Sequence, residues 1–248
     1  ISNYNWRSAY YMVGIGTIVL LVTASFFLKR DPQQIGQLPY GMKKQTTAVQ
    51  GRRFDFHEVV HTRQFWMVCG IYFCFGYCLH TLMVHIVPHA IKLGIPPANA
   101  ATILVAIGGT TIIAKVLAGI ASDRAGAKPT IVVGLIILTG GLIWLQGTDT
   151  LRGLFIFGII FGISYGGVMT MQSLLLAELF GVGSLGVIVG GVTFIYTIGS
   201  ATGPLLAGQI FDVTGSYRLA FIICIIPAVA GIILTLLVKP VKDKRQGM

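Results

Sequence analysis

Residues 100–120 read AATILVAIGGTTIIAKVLAGI, an apolar run broken by a single charge, Lys115. About 20 consecutive apolar residues are enough for a helix to cross a bilayer, so this run reads as a transmembrane span. A charge at membrane depth costs a few kcal/mol or more and is usually retained for function. No carboxylate lies inside a comparable run. A cation without an acid beside it points to a site for an anion. Snorkelling is the alternative. Asp123 lies eight residues on, about 12 Å along a helix, and the lysine stem recovers part of that distance.

The rest of the chain agrees with the span. Of 248 residues, 54% are hydrophobic and 10% charged, with mean hydropathy +0.81. A soluble domain carries about 25% charged residues. The composition predicts an all-α, polytopic transmembrane helical bundle, because the alternating segments of about ten residues that mark membrane strands are missing. The 32 glycines suit close helix contacts. A net charge of +10 would suit nucleic acid, but the charges sit between the apolar runs, so no nucleic-acid partner is expected. Cys69, Cys74, Cys78 and Cys224 show no paired metal spacing and fall in apolar segments. Neither a metal nor a cofactor is expected.

Seven spans are predicted, near 8–28, 64–91, 98–120, 130–147, 153–176, 185–210 and 218–238. Basic residues crowd alternate connectors. Lys29, Arg30, Lys43, Lys44, Arg52, Arg53 and Arg63 precede the second span, Arg124 and Lys128 follow the third, and Lys239, Lys242, Lys244 and Arg245 close the chain. Arg7, Lys92, Arg152 and Arg218 fall on the other side. The bias makes the first side, with the C-terminus, cytoplasmic. Phe54, Phe56, Val59 and Val60 suggest a short interfacial amphipathic helix. The expected organisation is a helix at 1–28, a polar linker at 29–63 and a six-helix unit at 64–248. One helix, a linker and six helices make sense as the end of a six-plus-six plan with five helices upstream.

Four segments carry a resemblance. Gly119-Ile-Ala-Ser-Asp123-Arg124-Ala-Gly126-Ala-Lys128 resembles the second copy of the cytoplasmic-loop motif of the major facilitator superfamily. In that motif the Gly permits close packing and the Asp can face a helix N-terminus. Asp31-Pro32 to Gly41, His85-Ile-Val-Pro88 to Gly94, and Ala177-Glu178-Leu-Phe180-Gly181 with Ser184, Gly186, Gly203-Pro204 and Asp212 resemble the oxalate/formate antiporter and monocarboxylate transporter group. The resemblance implies a secondary transporter working by alternating access around a midplane site. Gly119, Asp123, Arg124, Gly126 and Lys128 would then form a gating loop, with partners in the upstream half. Four residues before the motif's glycine the group commonly has an Arg, and here Lys115 stands there. The resemblance gives it the substrate carboxylate, held by a point charge rather than a bidentate fork. The animal-type Asp one turn earlier is replaced by Thr111, and the second cation of the oxalate type has no counterpart in Phe194–Ala207. One cation suits one carboxylate, which favours a monocarboxylate.

Other polar residues are candidates on spacing. Cys78, Thr81, His85 and His89 share a helical face. His85 and His80 are candidate substrate or proton groups, and His89, beside Lys92, reads as a solvated interfacial residue. Tyr165, Met169 and Gln172 form one stripe, and Thr193, Tyr196 and Ser200 another. Tyr165, Gln172 and Tyr196 can hydrogen-bond an anion, or can simply pack. All eight acids (Asp31, Asp55, Glu58, Asp123, Asp149, Glu178, Asp212 and Asp243) fall in loops or at helix ends. Proton coupling would therefore use a histidine or the upstream half, unless the protein exchanges anions without protons. No enzymatic motif appears. The expectation is a carrier of small organic anions such as lactate, pyruvate or formate in a bacterial inner membrane, by symport or antiport. The competing readings are an efflux carrier and an inactive half-bundle that serves as an assembly partner.

Overall fold

The computed structural model describes residues 6–27, 56–182 and 184–239. The chain divides into two compact units, residues 1–49 and 50–248. The first holds α1 (Trp6–Phe27), whose residues 11–26 are exposed within that unit. The Asp31–Gly41 motif and most of the expected linker lie outside the described residues, as do Lys242, Asp243, Lys244 and Arg245.

The second unit contains α2 (Phe56–Val60), α3 (Arg63–Lys92), α4 (Pro97–Ala125), α5 (Ala127–Gln146), α6 (Leu151–Phe180), α7 (Leu185–Thr214), α8 (Arg218–Ile223) and α9 (Ile225–Leu237). Six segments, with α8 and α9 taken together, are long and apolar enough to cross a membrane. The six spans expected in this unit are present, several of them longer than the sequence implied. α4 runs on through Ser122, Asp123 and Arg124, and α6 to Phe180, because polar residues continue a helix beyond the apolar layer. The last span breaks at Cys224. Pro227 has no N–H for the Ile223 carbonyl four residues back, which removes one helical hydrogen bond. The expected interfacial helix is the five-residue α2, and its Val59 is fully buried in the bundle core.

Two helix pairs build the unit. α3 packs along α7 and α4 along α6, with α5 and α9 behind them. Glycines set both seams. A Cβ at Gly203 would lie 2.5 Å from the Tyr77 carbonyl and from Thr81 Oγ1. A Cβ at Gly166 would lie 2.6 Å from the Thr111 carbonyl and 3.0 Å from the Lys115 amide nitrogen. Without a hydrophobic drive between helices in lipid, such backbone approach and the dispersion contacts it allows hold the pairs together. Buried Tyr72, Phe75, Phe157, Phe161 and Phe221 fill the interior. The Tyr72 hydroxyl donates to the Val168 carbonyl at 3.3 Å and ties α3 to α6.

Helix ends are fastened in two groups. At one end Glu178 accepts from the Ala127 amide at 3.1 Å, and Lys128 Nζ donates to the Leu236 and Val238 carbonyls, each at 2.8 Å. Both contacts suit the helix dipole, with an anion at the α5 N-terminus and a cation at the α9 C-terminus. At the other end Arg218 holds both Asp149 oxygens at 2.6 and 2.5 Å, and Lys92 Nζ donates to the Gly215 carbonyl while lying 4.7 Å from the Phe211 ring centroid.

Candidate functional site

α3 carries three histidines in its second half, and the fold sends them to different places. His80 shares a half-open face with Phe73 and Val84. One turn before it, Gly76 admits α7, since a Cβ there would meet the Tyr196 carbonyl at 2.7 Å. His80 therefore stands edge-on to the Tyr196 ring, with centroids 5.8 Å apart. Tyr196 belongs to the α7 stripe of Thr193 and Ser200. α6 meets the same stripe where Gln172 Nε2 donates to Thr193 Oγ1 at 3.0 Å. Gln172 is buried, and Tyr165 and Met169 of its stripe are partly buried. His80, Gln172, Thr193 and Tyr196 are thus linked through α7.

His85 is held elsewhere. Its Nε2 lies 3.0 Å from the Pro204 carbonyl, and its ring 4.9 Å from that of Tyr217. His89 departs from the sequence reading: it is not solvated but 4% exposed, packed edge-on to Tyr217 and Phe221. The predicted shared face of Cys78, Thr81, His85 and His89 exists, but it is a packing seam. Cys78 Sγ donates to the Cys224 carbonyl at 3.2 Å, and Thr81 lies against Gly203. Here α7 and α8 fill the space that a cavity would need. Burial, and then nearby Asp212, push the Tyr217 phenol above its ordinary range.

Lys115 is exposed within this unit rather than enclosed by it. The reason is the narrow seam of α4: Ile103, Ile107, Thr111, Ala114 and Ala118 are buried and most of the remaining residues are not. At 100° per residue, Gly108, Ile112, Lys115 and Gly119 share one face. A Cβ at Gly108 or Gly119 would meet nothing within 4 Å. Thr111 belongs to the seam, its hydroxyl donating to the Ile107 carbonyl at 2.7 Å and the Gly162 carbonyl at 3.2 Å. Through Gly166, Lys115 adjoins the α6 segment that carries Tyr165.

In the loop motif, Gly126 takes φ +86°, closes α4 with a bond to the Ser122 carbonyl, and starts α5. Asp123 and Arg124 are exposed and make no ion pair among the described residues. The carboxylate at the α5 N-terminus is that of Glu178. Sequence reading missed that role, and the capping of α9 by Lys128, because both contacts join segments far apart in the chain. Among the described residues no group of three or more His, Cys, Asp or Glu can hold a metal ion.

The arrangement sets the α4 cation Lys115 on a face this unit leaves open and joins a polar cluster across α3, α6 and α7, and comparison with known proteins gives its family. The model for the Major Facilitator Superfamily matches residues 71–247, and the chain belongs to that superfamily. With its six membrane-length helices, it is an integral membrane protein. Human monocarboxylate transporter 12 is 30% identical over 153 residues, covering 60% of this chain and 30% of that protein. The MFS-type transporter YcxA of Bacillus subtilis (strain 168) is 26% identical over 253 residues, covering 98% of this chain and 58% of that one. The multidrug transporter protein MdtP of the same bacterium is 25% identical over 215 residues, covering 85% and 36%. The chain thus spans between 30% and 58% of these relatives' lengths. A crystal structure of an auto-inhibited POT family peptide transporter superposes with TM-score 0.64 at 20% identity, over 73% of this chain and 40% of that one. This last likeness is one of fold alone.

Proposed function

We propose that this chain is the C-terminal part of a secondary carrier for small organic anions, with monocarboxylates of the lactate, pyruvate and formate type as its substrates. The observation that carries the reading is Lys115, set ten residues inside the α4 C-terminus on a face that this unit leaves open. Relatives named monocarboxylate transporters support the substrate class. Lys115 binds the carboxylate, and His80, Tyr165, Gln172 and Tyr196 supply hydrogen bonds around the remainder. His85, held to the Pro204 carbonyl, serves the same site only if that bond opens. An upstream half of the same protein closes the cavity. Neutralising the cation with substrate favours the occluded state during alternating access, either with a proton or in exchange for a second anion. The loop from Gly119 to Lys128 gates the cytoplasmic side, where the C-terminus also lies, in a bacterial plasma membrane.

A second reading, efflux of amphiphiles, rests on the relative named a multidrug transporter. Binding of acetate, lactate, pyruvate, formate and oxalate to the full-length protein separates the two. A charged hydrogen bond is worth about 1.5–3 kcal/mol, so Lys115→Gln is expected to weaken monocarboxylate binding about ten- to hundredfold. Equal binding by wild type and variant overturns the role of Lys115 and favours efflux.

A further inference from the structure

Opposite the Lys115 face, α4 borders a groove of about 310 Å³ shared with α5 and α6. We propose that this groove holds one acyl chain of an anionic glycerophospholipid whose headgroup rests on Arg124. Ile113, Leu117, Val133, Ile137 and Ile163 form its walls, and Gly167 its floor. The two hydroxyls that reach it are already engaged. Thr110 donates to the Ala106 carbonyl at 2.7 Å and Thr130 to the Gly126 carbonyl at 3.0 Å. No free donor is left inside for a polar guest, and what fits is hydrocarbon.

Length and charge select the lipid. Along α4 the groove runs from Thr110 to Ala121, about 17 Å at 1.5 Å per residue. That is roughly half of a hydrocarbon core about 30 Å thick, the depth of one leaflet. Arg124 lies one turn beyond Ala121, where a headgroup would be. By helical rotation it lies within about 20° of Ile113 and Leu117, whereas Asp123 points about 120° away from Leu117. Arg124 is exposed and unpaired among the described residues, and Glu178 nearby is engaged by the Ala127 amide. An exposed basic residue at the membrane surface favours anionic lipid about fivefold. The groove side of α4 lies about 200° from Lys115, so the lipid site stands or falls separately from the carboxylate site.

The test is native mass spectrometry of the full-length protein carrying mixed phosphatidylglycerol and phosphatidylcholine. Wild type is expected to retain one phosphatidylglycerol with about fivefold preference. Arg124→Gln should erase the preference while leaving total retention unchanged. A Cβ at Gly167 would meet nothing within 4 Å, so Gly167→Leu should fill the groove and release both lipids. Val133→Trp, from the exposed wall, should do the same if the glycine variant fails to fold. Wild type without preference overturns the proposal. So does lipid retention unchanged in the filled variants, or an apolar amine dye held at the groove with no lipid retained.

Discussion

The two faces of α3 carry the same residue type to opposite ends. His80 stands on a half-open face, edge-on to the Tyr196 ring of α7. On the other face His85 is half-buried and held to the Pro204 carbonyl, and His89 is buried against Tyr217 and Phe221. The spacing that put Cys78, Thr81, His85 and His89 on one face was correct. What it could not say is whether the face meets a cavity or another helix. Shared helical phase establishes that residues are neighbours, and the packing partner establishes what they do.

The comparison can be broken most severely at the seam itself. In Gly203→Val the new side chain meets the Tyr77 backbone, which cannot retreat as a side-chain tip can. Overpacking of this kind typically costs about 1–3 kcal/mol or more. The expected result is a markedly lower melting temperature and lost assembly of the His85 face, read by thermal unfolding in detergent. An unchanged melting temperature would mean that α3 and α7 are not this close.

Next in size is His80→Ala. A lost neutral hydrogen bond changes binding by about 1 kcal/mol, so monocarboxylate affinity should fall about fivefold. Its stability should fall by less than about 1 kcal/mol, since the ring is half-buried and its nitrogen lies a long 3.4 Å from the Gly76 carbonyl. His85→Ala should show the reverse pattern. It loses the bond to the Pro204 carbonyl and about 1 kcal/mol of stability, with affinity unchanged. If His85→Ala lowers affinity and His80→Ala does not, the two faces have been assigned the wrong way round.

The smallest effect belongs to the helix ends. Arg218→Ala removes a pair whose side chains are 49% and 52% exposed, and such pairs contribute about 0–1 kcal/mol, less in high salt. The loss seen by thermal unfolding at low salt should shrink at high salt. A loss larger than that of His85→Ala would make this ion pair, rather than the histidine seam, the fastening at that end.

The sequence by itself determined the class of protein, the number and position of the spans in the six-helix unit, and the family. These are properties of local composition and short motifs, since an apolar run of about 20 residues has few other places to go. It also singled out Lys115 by charge alone. The tertiary structure decided which neighbours each polar residue has. It joined His80 to Tyr196 and Gln172 to Thr193, buried His89, spent Thr111 on the Gly162 carbonyl, and set Glu178 at the α5 N-terminus. Each of these contacts joins two different helices, at least 21 residues apart along the chain. In a bundle whose helices are apolar nearly all round, hydrophobic phase does not mark the buried side. Small residues do, and glycine positions such as 166 and 203 can be read as close approaches only once the partner helix is in place.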